Sequence, residues 1–187
     1  MKLSQLILVS RKILIITLIL PAAAKHNTAK NKITVKKITG TIQYKSNDVF
    51  FLFQTWKQIK DSQQIKVGTI IKTDRNSRAE LVFNNQTKVL IKSTSKLKVI
   101  KSKTGKLNLQ RIKLNIGEVI VKFVSELNNN SQFEVKTPTA VAGVRGTLFK
   151  VKVNQQKETE VSVQKGTVKV ASKTAAVAVK ANHKAKI

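Results

Sequence analysis

From residue 33 to the C-terminus, apolar residues fall at every second position in short runs, and no long stretch carries a clear helical period. Alternation of this kind turns one face of a strand inward and the other toward water. The runs are 33–36, 37–44, 64–72, 79–83, 88–91, 95–101, 107–114, 116–123, 133–153, 159–163, 166–171 and 175–187. Asn84-Asn85 reads as a hairpin turn between two of them, because asparagine tolerates the positive φ of tight turns. Ser102-Lys103-Thr104-Gly105 gives a second hairpin signal, and residues 175–187 read as a closing hairpin around Asn182. Residues 127–132 are a polar loop. One span, 55–63, is ambiguous and admits a helical turn. Many short strands with regular turn signals imply an all-β domain, a β-sandwich or jelly-roll-like fold. The most apolar segment is 49–56; Phe51, Phe53 and Trp56 are expected between the sheets, the alternative being an exposed partner surface.

Residues 137–147 (TPTAVAGVRGT) combine a proline, two glycines and one arginine. Thr137, Pro138, Gly143, Val144, Arg145, Gly146 and Thr147 form a structural motif or contact site. Gly143 and Gly146 flank Arg145, and glycine permits close backbone approach or positive φ. The segment is expected to hold a cation at a tight kink between two strands. Two roles are open to Arg145. A half-buried guanidinium would need turn carbonyls and an acid, for which Asp74 and Glu80 are the candidates. An exposed one would suit bidentate pairing with a carboxylate or anionic sugar.

The first 24 residues have the layout of a secretory signal: Lys2, Arg11 and Lys12, then the apolar run Ile13–Leu20, then Pro21-Ala22-Ala23-Ala24. That run is far short of the ~20 residues that span a bilayer. The competing reading is an N-terminal anchor that is kept, with Leu6–Val9 lengthening the apolar region. Residues 25–32 read as a flexible mature N-terminus, and 33–187 as the β domain. The expected location is periplasmic or secreted, with no transmembrane span in the mature chain.

Cysteine is absent, so there is neither a disulfide framework nor a cysteine zinc site. Both histidines, His26 and His183, lie in terminal segments. The net charge of +27 is spread along the chain, mostly as lysine alternating with apolar residues, as in Phe149–Val153. The simple reading is solvated outer strand faces and guarded sheet edges. The sharper reading is attraction to an anionic polymer of the cell envelope. Nucleic acid is not expected as a partner, since aromatics are too few for a stacking platform. Glu158 and Glu160 share one strand face, but they border a polar turn and read as an exposed hairpin end. No nucleophile elbow, phosphate loop or metal-ligand cluster is present in the sequence. No catalytic residue, metal site or cofactor is expected.

Several segments in order resemble the FecR domain family, named for the ferric-citrate signalling regulator of bacteria. They are Gly40-Thr41-Ile42, Trp56, Ile65–Thr73, Asn76–Phe83, Leu114–Val119, Thr137–Phe149, and Thr159–Val163 with Gly166–Val170. The resemblance covers about 38–171 and extends toward 187. It implies an extracytoplasmic β-rich module with binding and signalling roles. One departure is the turn Asn85-Gln86-Thr87, which lacks the family's glycine. Another is that about 24 residues precede the mature chain, where the namesake regulators carry a cytoplasmic segment and a membrane span. Direct contact with a cytoplasmic sigma factor is therefore not expected. The expected function is an exported, non-enzymatic binding or signalling module of the bacterial envelope, its partner an envelope protein or an anionic surface polymer. The alternative is a structural or adhesion component held on envelope polymers by its basic surface.

Overall fold

The computed structural model describes residues 33–46, 55–84, 87–100, 108–123, 131–144 and 146–187. These belong to one compact unit, Asn31–Ile187. They are all-β, and three bent hairpins supply most of the two packed sheets. In the first hairpin, β1 (Ile33–Thr39) and β2 (Ile42–Lys45) run against β5 (Ile70–Thr73) and β6 (Arg78–Phe83). In the second, β7 (Thr87–Ile91) and β8 (Lys96–Ile100) run against the long strand β9 (Asn108–Lys122). In the third, β11 (Val141–Val144) and β12 (Leu148–Val153) run against β13 (Thr159–Lys165) and β14 (Thr167–Ala171). The smaller strands are β3 (Lys57–Gln58), β4 (Gln64–Ile65), β10 (Ser131–Lys136), β15 (Ala176–Lys180) and β16 (Lys184–Lys186).

Each bent hairpin has its two outer arms in one sheet and its middle in the other. Sheet A has the order β4-β1-β6-β7-β9-β12-β13-β16, and sheet B the order β15-β14-β11-β10-β9-β8-β5-β2-β3. Strand β9 belongs to both. Its first part lies between β8 and β10, and from Gly117 onward it lies between β7 and β12. Every pairing is antiparallel except β9 with β10, which is parallel. The parallel pair follows from the path: β9 ends in sheet A, and the chain must return to sheet B beside the start of the same strand.

The bends share one local design. In each, a glycine with positive φ on one arm faces a buried serine or threonine on the other: Gly40 and Ser77, Gly117 and Ser95, Gly166 and Thr147. The residue before each hydroxyl also has positive φ: Asn76, Thr94 and Gly146. Thr41 N–H donates to Ser77 Oγ at 2.9 Å, and Glu118 N–H donates to Ser95 Oγ at 3.0 Å. In the first two bends the side-chain hydroxyl thus accepts a backbone donor that the bend removes from the ladder.

The inner faces of both sheets share one hydrophobic core. Alternation brings Val35, Leu81, Val89, Val121, Phe149 and Val161 inward from sheet A, and Ile71, Leu97, Ile112, Val135, Ala142 and Val170 from sheet B. Phe133 of sheet B meets Phe83 of sheet A edge-on at 5.5 Å between ring centres.

Four expectations are corrected. Residues 55–63 hold no helical turn; β3 and a tight turn at Asp61-Ser62 occupy them, with Ser62 at φ 57°. Residues 175–187 are not a hairpin: β15 pairs with β14 in sheet B and β16 with β13 in sheet A, the chain crossing at Asn182. Segment 133–153 is three strands, because a turn at 137–140 separates β10 from β11. Trp56 is half-exposed and lies outside the core, since lysines and not aliphatics flank its ring. Phe51 and Phe53 lie outside the described residues. The hairpin through Asn84 forms as expected, with Phe83 opposite Thr87 and Asn84 at φ 48°.

Candidate functional site

The signature segment 137–147 is divided by β11 into two unconnected parts. At its start, Thr137 is 3% exposed and caps the turn between β10 and β11. Its Oγ1 accepts from Ala140 N–H at 2.9 Å and donates to Ala140 O at 3.0 Å. Thr159 Oγ1 donates to Thr137 Oγ1 at 2.8 Å and stands 2.7 Å from Thr139 Oγ1. Thr159 and Ile187 exchange both backbone hydrogen bonds at 2.8 Å, so this hydroxyl cluster also fastens the C-terminal residue. Pro138 is exposed at the turn.

At the other end of β11, Val144 is buried and Gly146 has φ 66° at the crossing into sheet A. Thr147 is buried, and its hydroxyl has no hydrogen-bond partner among the described residues. Arg145 lies outside the described residues. Gly143 differs from the close-packed glycine expected there. It has ordinary strand conformation, and an added Cβ would find Glu134 Cγ at 3.9 Å, a normal contact.

These hydroxyls give opposite expectations for one isosteric change. Thr137→Val removes a group with three hydrogen bonds and should cost about 1–3 kcal/mol. Thr147→Val removes a buried hydroxyl without a partner and should be neutral or stabilising by up to about 1 kcal/mol. Urea denaturation of both variants checks this; an equal loss in the two would contradict it.

The acids proposed as partners for Arg145 have separate settings. Asp74 lies beside the first bend, 3.6 Å from Lys72 Nζ. Glu80 is half-buried on β6, in register with Lys36 on one side and Leu90 on the other. The closest arginine–carboxylate pair described was not legible in the sequence. Arg111 Nε and Nη2 both stand 2.6 Å from Glu134 Oε2, with side chains only 23% and 20% exposed. They are direct partners on the parallel strands β9 and β10, 23 residues apart in the chain, so no local spacing announces them.

Two surface cavities accompany these groups. The larger, about 440 Å³, is lined by Trp56, Lys72, Asp74, Arg75, Thr94 and Lys96, among others. Lys45 Nζ and Lys96 Nζ lie 5.0 and 5.8 Å from the centre of the Trp56 ring. Cations held over an indole face gain from its quadrupole. The smaller, about 180 Å³, contains Glu158 and Glu160 beside Lys152 and Lys186. Glu158 is bound by Asn154 through two hydrogen bonds, of 2.7 and 2.9 Å, at the exposed turn expected for it. Among the described residues, no three His, Asp or Glu side chains gather as metal ligands.

A sequence model of the family described as FecR protein matches residues 69–169. The chain belongs to this family. The match begins at β5, yet the FecR-type fold here includes β1 and β2, since Gly40 and Thr41 complete the first bend against Ser77. Two crystal structures of a candidate anti-sigma factor from Parabacteroides distasonis ATCC 8503, at 1.65 and 2.50 Å resolution, resemble the chain. Each has a TM-score of 0.55 and 19% identity over 63% of this chain, a likeness of fold. The chain spans about half of those neighbours, 54% of their length. Comparison with functionally curated proteins finds no match.

Proposed function

We propose that this FecR-domain protein is an exported, non-enzymatic binding or signalling module of the cell envelope. The observation that carries the reading is the family match over 69–169, joined to a leader-like N-terminal sequence. The chemistry of the described surface fits contact better than turnover. The larger cavity joins one indole to several cations, and its acid, Asp74, is already beside Lys72. The smaller one holds two carboxylates at an exposed turn, one of them engaged by Asn154. The neighbours' description as anti-sigma factors supports a regulatory setting, in which this module would receive or hold a partner outside the cytoplasm.

The test is fractionation of cells expressing the full chain, with mass-spectrometric identification of its N-terminus. The expected result is an envelope or secreted species beginning at Lys25. Recovery in the cytoplasm with the leader intact would overturn export. A second reading, attachment to envelope polymers by charge, is favoured by Lys98, Lys113 and Lys136 of sheet B, which make no ion pair among the described residues. Washing envelopes with high salt separates the two: a charge-held protein is released, whereas a packed protein interface survives.

A further inference from the structure

The two sheets carry their charge differently on their outer faces. On sheet A, one pair of lysines is opposed, Lys88 and Lys122, and elsewhere acids are interleaved with the lysines. Glu80 is in register with Lys36, and Glu160 stands between Lys152 and Lys186. On sheet B, like charges are direct neighbours. Lys98, Lys113 and Lys136 occupy one row across β8, β9 and β10. Lys72 and Lys96 face each other in the next row. The residues between them along the strands, Leu97, Leu114 and Val135 among them, are buried, so these lysines project outward. Among the described residues, Lys96, Lys98, Lys113 and Lys136 make no ion pair. Directly opposed like charges destabilise a sheet. The carboxylates near this row are already engaged, Glu134 by Arg111 and Asp74 by Lys72, so the row is the electrostatic complement of a chain with one negative charge per strand spacing, about 4.8 Å.

Beside this row stands Trp56, partly exposed, with Lys45 and Lys96 at its ring. We propose that the outer face of sheet B is a track for a linear carboxylated polysaccharide, laid across the strands, with Trp56 as the platform for one sugar ring. An indole face matches the apolar face of a pyranose, and a sugar residue has roughly the span of one strand spacing. Single-stranded nucleic acid would need successive aromatic platforms along the groove. Trp56 is the one aromatic on this face among the described residues; Tyr44 packs against the core. The proposal rests on the envelope-binding reading above and gives that function a surface and a ligand class.

Trp56 is the single tryptophan of the chain, so its fluorescence reports directly on the track. The full chain is titrated with oligogalacturonate, neutral dextran and oligo-dT over a range of salt. Oligogalacturonate should change the emission and dextran should not. The triple variant K98Q/K113Q/K136Q should bind oligogalacturonate at least about tenfold more weakly, with a salt slope lower by about 2–3, as expected for three lost charge contacts. An equal charge change on sheet A, K122Q/K150Q/K184Q, should weaken binding less than about threefold, because distance and salt screen those sites. Without ligand at low salt, the sheet B triple should melt higher than the parent, its row of repulsions gone.

Equal weakening by the two triples would overturn the track, as would the absence of any oligogalacturonate binding. Tighter binding of oligo-dT with the same dependence on the sheet B lysines would overturn the ligand class. Fractionation stands apart from these outcomes. A cytoplasmic protein whose sheet B face still selects the polyuronate would sink the envelope reading, and an exported one without face selectivity would sink the track.

Discussion

Gly117→Ala is expected to destabilise the domain by about 2–6 kcal/mol, the sum of a strained φ and a backbone overlap each worth about 1–3 kcal/mol. Gly117 has φ 100°, and a Cβ built on it would overlap Ser95 Oγ and stand 2.5 Å from Ser95 Cα. The second of these is backbone, so rotation of a side chain cannot relieve it. The residue also sits where β9 passes from sheet B to sheet A, and β9 is paired with β7, β8, β10 and β12. Displacing it loosens both sheets together. A stability of about 5–15 kcal/mol is usual for a domain, so this one methyl group would remove a large share. Gly143→Ala is the internal control. Its φ is ordinary and the nearest atom is 3.9 Å away, so reduced freedom of the unfolded chain should raise stability by about 0.4–1 kcal/mol. Urea midpoints of the two variants measure the difference. A Gly117→Ala protein as stable as Gly143→Ala would remove the sheet-crossing account of β9.

Phe133→Ala should cost about 3–5 kcal/mol. The side chain is wholly buried and joins the two sheets. Phe83 meets it edge-on at 5.5 Å, and Phe123 lies 6.4 Å away at a 33° tilt. Truncation removes a large apolar area and leaves a void whose walls belong to different sheets, so collapse is only partial. Phe133→Leu retains most of the volume and should cost about 1.5 kcal/mol or less. Calorimetry on the pair checks the prediction. Loss of less than about 1 kcal/mol in Phe133→Ala would mean that the sheets do not meet through this ring.

The strands themselves were legible because alternation is a local signal. Runs such as Phe149-Lys150-Val151-Lys152-Val153 show it residue by residue, and the structure buries the valines and Phe149. The hairpin at Asn84 was legible for the same reason, since its register depends on neighbours in the chain. The bends were not. Gly40, Gly117 and Gly166 are ordinary punctuation until Ser77, Ser95 and Thr147 are seen opposite them, 19 to 37 residues away. A sign was present: Asn76-Ser77, Thr94-Ser95 and Gly146-Thr147 each open a strand after a residue of positive φ. The closing segment failed for a related reason. Local pattern distinguishes a strand from a helix, but not whether the next strand turns back beside it or crosses to the other sheet, and Asn182 permits either.

The candidate site divides in the same way. Thr137 drew notice from its sequence context, and its hydroxyl does organise a turn, but its partner Thr159 comes from β13, 22 residues away. Trp56 looked like core by composition; packing left it at the surface among lysines.

The amino-acid sequence alone determined that the domain described is all-β and which side chains of each strand face inward, because burial of every second residue is decided by neighbours along the strand. Tertiary structure alone decided that Lys98, Lys113 and Lys136 lie side by side and that Arg111 meets Glu134. Register between strands far apart in the chain is set by how two sheets share one core, and no local pattern encodes it.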